Sequence, residues 1–219
     1  MAAEEPVMNC DDLAYWYLRM NGCLTVRNFV LHPKSPKDSQ LTDADVVAVR
    51  FPGFEFEDRN ADDALFSTAG EPILLVAEVK GGNQECSLNA PWRRSSDSVA
   101  YVLRRFAPCI IENVAEVAEK WARTGGYADS SLRCFFLCFG ARPGETLRSL
   151  PNVEQKTWMD VLQFFHRRFE EYRRVKRDHD QWELVGNLIW RAWADEARGN
   201  YRDFCNIVTE KVGLPKVSA

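Results

Sequence analysis

The chain has 219 residues, of which 46% are hydrophobic and 27% charged, and a formal net charge of −4. That length suits one domain with a helical appendage, and the negative balance argues against polyanion binding by the whole surface, so any nucleic-acid contact must be local. No apolar stretch approaches the ~20 residues that span a bilayer, and the acidic start MAAEEPVMNCDD has neither a basic nor an apolar signal region, so a cytoplasmic protein without a membrane partner is expected.

In chain order, residues 9–21 combine cap candidates (Asn9, Asp11, Asp12) with helically spaced Leu13, Trp16, Tyr17 and Met20, and Gly22 stands at the stop, which predicts a first helix. Residues 24–32, 44–51 and 73–80 are β-rich and predict three strands. A Pro/Ser/Lys loop follows the first of these strands, and an acidic, irregular insertion, FEFEDRNADDALFSTAGEP, separates the second from the third. After Gly81 and Gly82 the stretch CSLNAPWRRSSDS is expected as a loop, followed by helices over 98–105 and 110–123. The segment 132–140, LRCFFLCFG, is apolar on both faces, as a central strand covered on both sides should be, and a short strand is expected over 153–157. From residue 158 to about 211 the pattern is helical. The expected division is a core over 1–157 and a helical region over 158–219 packed on it.

The seven cysteines, at 10, 23, 86, 109, 134, 138 and 205, are odd in number, form no CxxC pair and sit mostly in apolar segments, which fits reduced thiols. Cys134 and Cys138 share one strand face and read as small core residues. The three histidines, His32, His166 and His179, have no ligand spacing, and no Walker-type or GxGxxG loop is present.

The chemistry concentrates in ILLVAEVKGG, residues 73–82. A strand turns Glu78 and Lys80 to one face and Val79 to the other, at the end of a run whose remaining side chains belong in the core. Burying either charge alone is costly, so the pair needs a partner: each other, an outside counter-charge or a metal ion. Asp45 begins the alternating aliphatic run of the preceding strand, and consecutive strands are usually neighbours, so it can lie beside Glu78. Two converging carboxylates repel unless a divalent cation lies between them, and Lys80, about 6–7 Å further along the same face, would be within reach of a water bound to such an ion.

These residues resemble the PD-(D/E)XK, or restriction-endonuclease-like, nuclease superfamily, with Asp45 matching its aspartate, Glu78 its second acid and Lys80 its lysine. The order of helix, three strands, helix and strand from about residue 9 to 140 is similar to that family's αβββαβ core. The resemblance implies an α/β fold with a mixed central sheet and additional C-terminal helices. It also implies a metal site of Asp45, Glu78 and the Val79 carbonyl holding Mg²⁺ or Mn²⁺, and catalysis of phosphodiester hydrolysis by Asp45, Glu78 and Lys80. The implied partner is nucleic acid, with DNA preferred, and a homodimer is an option because many resembling nucleases pair to cut two strands. The family's Pro before the Asp is absent here, and only Asp11 and Asp12 could supply the acidic residue that members often carry in the first helix. A non-catalytic nucleic-acid- or protein-binding member of the same fold is the alternative.

Other segments admit two readings each. NAPWRRSSDS either presents Asn89, Trp92, Arg93 and Arg94 to substrate or is an ordinary loop with Trp92 packed on the core. Arg104 or Arg105 could face the same groove. The basic run 166–179 is interrupted by Glu170 and Glu171, so it reads either as a solvated face with i,i+4 pairs or as a phosphate contact. The tryptophans at 158, 182, 190 and 193 read as a packed helical core or as a surface for a protein partner.

Overall fold

The computed structural model describes residues 7–31, 42–53, 63–66, 70–108, 110–173 and 183–215. His32, the Pro/Ser/Lys loop to residue 40, most of the acidic insertion, Cys109, His179 and Trp182 lie outside the described residues, as does the basic run from residue 174 on.

Helix α1 (Cys10–Met20) starts on a reciprocal capping box: the Asn9 side chain accepts from the Asp12 N–H and the Asp12 carboxylate accepts from the Asn9 N–H, each at 3.0 Å. Gly22, at φ 76°, makes the left-handed turn into β1 (Leu24–Leu31), which pairs antiparallel with β2 (Thr42–Arg50). β2 in turn pairs antiparallel with β3 (Ile73–Val79). The chain then crosses over through α2 (Ala90–Arg94), α3 (Ser96–Phe106) and α4 (Val114–Thr124). A short β4 (Gly126–Ala128) leads into β5 (Arg133–Gly140), which lies parallel to β3. β6 (Glu154–Thr157) extends the far side of β5 in parallel. The helices α5 (Trp158–Glu171), α6 (Leu184–Arg191), a π-helical turn (Ala192–Glu196) and α7 (Tyr201–Lys211) complete the described chain.

The result is an α/β fold with a mixed sheet of order β1-β2-β3-β5-β4 between two helical layers. On one face α1, α5, α6 and α7 share a core with Val46, Ala48, Leu75, Ala77, Leu137 and Phe139. On the other, α2, α3 and α4 cover Val47, Leu74, Val76, Phe136 and Cys138. β3 is buried on both faces, which is why its sequence is a continuous aliphatic run. The six described cysteines are free thiols, all buried. Trp158, Trp190 and Trp193 are buried in the first core, which agrees with the packed-core reading of the C-terminal tryptophans. Among the described residues no helix is long and apolar enough to cross a membrane.

Three expectations need correcting. The stretch after the double glycine is not wholly a loop, because residues Ala90–Arg94 form α2. Five residues carry no readable helical period, and a helix that short depends on tertiary contacts rather than on its own propensity. The fourth helix begins at Val114 instead of residue 110, capped by Asn113, whose side chain accepts from the Glu116 N–H. β4 was not anticipated, since three residues are too few to show alternation.

The segment behind the sheet end is packed without slack. Residues 84–86 run along the end of β5, with Ala141 N–H donating to the Gln84 carbonyl at 2.7 Å and Cys86 N–H to the Arg142 carbonyl at 2.8 Å. A Cβ on Gly140 would stand 2.5 Å from the Cys86 nitrogen, and one on Gly144 would overlap the Cys86 carbonyl oxygen. Gly140→Ala is therefore expected to destabilise the fold by about 1–3 kcal/mol through overpacking, measured by urea unfolding.

Candidate metal-dependent active site

The β2–β3 ladder ends at Val46 opposite Ala77, and the next step of the same register sets Asp45 across from Glu78. There the sheet opens. Asp45 Oδ2 accepts the Val79 N–H at 2.6 Å, spanning the two strands beyond their last paired residues. On the other side of β2 the register sets Asn28 opposite Asp45, and Asn28 has a left-handed φ of 50°. That residue turns β1 over: Arg27 reaches α1, while Phe29, two residues on, packs against Phe106 of α3. The local departure from regular strand geometry lies beside the carboxylate cluster.

Glu78 has no exposed surface and Lys80 little, its side chain being 14% exposed. Each charge is held by two groups. Glu78 Oε1 accepts the Trp92 indole N–H at 2.6 Å, and Oε2 accepts from Lys80 Nζ at 3.2 Å. Lys80 Nζ also donates to Asn89 Oδ1 at 3.0 Å. Its backbone is fixed as well, with its N–H on the Phe139 carbonyl at 3.0 Å and its carbonyl accepting the Trp158 indole N–H at 3.2 Å. The third N–H of the ammonium and Asp45 Oδ1 have no hydrogen-bond partner among the described residues.

The two candidate acids of α1 separate cleanly. Asp12 is committed to the capping box and to Arg27, 2.8 Å away. Asp11 is half-buried, makes no hydrogen bond among the described residues, and lies within electrostatic range of Asp45 and Lys80. Burial pushes the Asp11 carboxyl above the usual carboxylate range, with Arg27 opposing. Burial also raises Asp45, where the Val79 N–H opposes and the Asp11 charge adds. Glu78 is pushed up to about 7, chiefly by burial, with Lys80 opposing and Asp45 adding.

Asp45, Glu78 and Lys80 are thus brought together. Asn89 belongs to the same cluster, its side-chain oxygen accepting from Lys80. Arg93 and Arg94 are exposed at the end of α2, open to solvent. Trp92 is buried, so it is the core-packed reading that holds, with a polar task added. Trp158 is buried, as its packed-core reading has it, but no local pattern announces its bond to residue 80. Arg104 and Arg105 are exposed on α3, where Arg105 lies over the Tyr101 ring at 5.4 Å. Within the basic run, Arg168 is buried and donates to the Met20 carbonyl at 2.8 Å, so this residue is structural.

The donor set is one that Mg²⁺ takes: hard carboxylate oxygens, two of them from desolvated groups without full hydrogen-bond complements. Among the described residues no three acidic, histidine or cysteine side chains converge closely enough to hold an ion by themselves. Mg²⁺ commonly keeps several waters and takes phosphate oxygens from substrate, so one or two carboxylates fit it. Comparison with known proteins finds no matching family model, no matching curated protein and no matching solved structure.

Because Glu78 binds its proton more tightly folded than unfolded, its contribution to stability is fully present below the unfolded value near 4.5 and is lost as pH rises through about 7. Glu78→Gln, measured with chelator present, is expected to flatten the fall in thermal stability between pH 5 and pH 8 by roughly 1–3 kcal/mol. An unchanged slope would show that Glu78 does not titrate in this window.

Proposed function

We propose that this chain is a Mg²⁺-dependent nuclease, with Mn²⁺ as a substitute, of the PD-(D/E)XK, restriction-endonuclease-like kind, hydrolysing phosphodiester bonds in DNA. The observation that carries this reading is the meeting of Asp45 and Glu78 across two adjacent strands with Lys80 on the face of Glu78, at a sheet end where Asp11 adds another carboxylate. The order of α1, three antiparallel strands, a helical crossover and parallel β5 supports the same core.

On this reading Asp45, Glu78 and the Val79 carbonyl would hold the ion, with Asp11 the acidic residue of the first helix. A divalent ion bound there supplies polarisation of the scissile phosphate and a more acidic water. The chain's own residues do the rest. Lys80, tethered by Glu78 and Asn89, keeps one N–H to orient the attacking water or to meet negative charge developing on the phosphate. Arg93 and Arg94, exposed on the helix that carries Trp92, would contact flanking phosphates.

One observation favours a second reading, a binding member of the same fold without catalysis. Glu78 is fully buried, and each of its oxygens already accepts a donor. The two separate in one experiment: supercoiled, linear, single-stranded and branched DNA, and RNA, are incubated with Mg²⁺, with Mn²⁺ and with chelator. The nuclease reading expects chelator-sensitive cutting of DNA that Lys80→Ala reduces by about 10²-fold or more. DNA binding at low salt without cutting of any form supports the binding member instead. Mg²⁺ is also expected to raise the melting temperature, equivalent to about 2.7 kcal/mol at a concentration 100 times its Kd, and Asp45→Asn to abolish that rise. A homodimer remains part of the proposal, checked by sedimentation with and without DNA.

A further inference from the structure

We infer that α2 acts as a clamp, with Trp92 and Asn89 as positioning residues that hold Glu78 and Lys80 in their working orientation; the inference rests on the nuclease reading above. Asn89 is the N-cap residue of α2, and an asparagine there ordinarily accepts an N–H of the first helical turn. Here the side chain makes no cap bond, and its oxygen takes the Lys80 ammonium at 3.0 Å instead. A residue that forgoes its local bond for a distant one marks a demand from the site. Three residues on, Trp92 is fully buried and directs its indole N–H at Glu78 Oε1, 2.6 Å away, while its ring packs on Phe136. An indole N–H can only donate, so it holds the carboxylate without competing for an ion, leaving each Glu78 oxygen a second lone pair.

The two contacts divide the work. Trp92 restrains the rotation of the buried carboxylate, and Asn89 restrains an ammonium whose flexible stem would otherwise let it collapse fully onto Glu78. With Glu78 and Asn89 each taking one N–H, the remaining one is left for chemistry. Partners that orient ligands in this manner typically change metal affinity or activity by 10–100-fold when removed.

The test uses the full chain and DNA cleavage as a function of Mg²⁺ concentration. Trp92→Phe keeps most of the ring and loses the N–H. It is expected to raise the half-saturating Mg²⁺ concentration by about 10-fold or more while the KM for DNA stays unchanged. Asn89→Leu is expected to lower kcat by about 10–100-fold, and Asn89→Asp, which keeps an acceptor for the ammonium, to recover most of it. A readout independent of turnover is the Trp92 indole N–H resonance in ¹⁵N-labelled protein, identified by its loss in Trp92→Phe, which should shift on adding Mg²⁺ and on Glu78→Gln. If Trp92→Phe does not fold, the Asn89 pair decides. Wild-type rates and Mg²⁺ dependence in both Trp92→Phe and Asn89→Leu, in a protein that Lys80→Ala inactivates, would overturn the clamp and leave the nuclease reading intact. A wild-type chain that neither binds Mg²⁺ nor cuts nucleic acid would overturn both.

Discussion

A carboxylate with no exposed surface at the end of the central strand constrains everything around it. Glu78 cannot remain charged there without donors, and removing one partner of a buried pair costs roughly 3–5 kcal/mol because the other charge is stranded. The chain answers from two directions, with Lys80 on the same strand face and the indole of Trp92 from the covering helix. Both donors are themselves tied down, Lys80 by Asn89 and through its backbone by Trp158, Trp92 by packing on Phe136. The charged end of β3 is as well determined as the apolar part.

The sheet geometry makes that arrangement accessible from one end. β2 and β3 stop pairing just before Asp45 and Glu78, and Asp45 bridges the gap through the Val79 N–H. α1 begins beside the turn that follows Lys80, where a Cβ on Gly81 would stand 3.8 Å from Cys10 Sγ, so Asp11 in its first turn enters the same region. Gly82 has a left-handed φ of 59°, which lets the chain leave β3 sharply, and the next segment is pressed against the end of β5 at Gly140. The site therefore draws on β2, β3, α1 and α2, held in register by contacts that tolerate little added volume.

Much of the fold was readable because its elements carry long, unambiguous patterns. The aliphatic run of β3, the two-faced apolar run of β5 and the capped, periodic α1 all form close to where those patterns place them. The failures are short or context-bound. α2 has five residues, β4 three, and the π-helical turn at Ala192–Glu196 interrupts a helical pattern without a local signal. In each, neighbouring layers override a weak local preference.

Of the site, the sequence determined by itself that Glu78 and Lys80 share a face at a strand end and that an acid on the preceding strand could meet them. A period of two and the pairing of consecutive strands require no knowledge of the rest of the chain. Only the tertiary structure decided which acid of α1 is available, that Asn89 turns from its cap to Lys80, and that Trp92 and Trp158 hold the site by their indole N–H groups. Those choices depend on which donors and acceptors lie within 3 Å once the layers pack, and residues 78 positions apart in sequence carry no mark of that proximity.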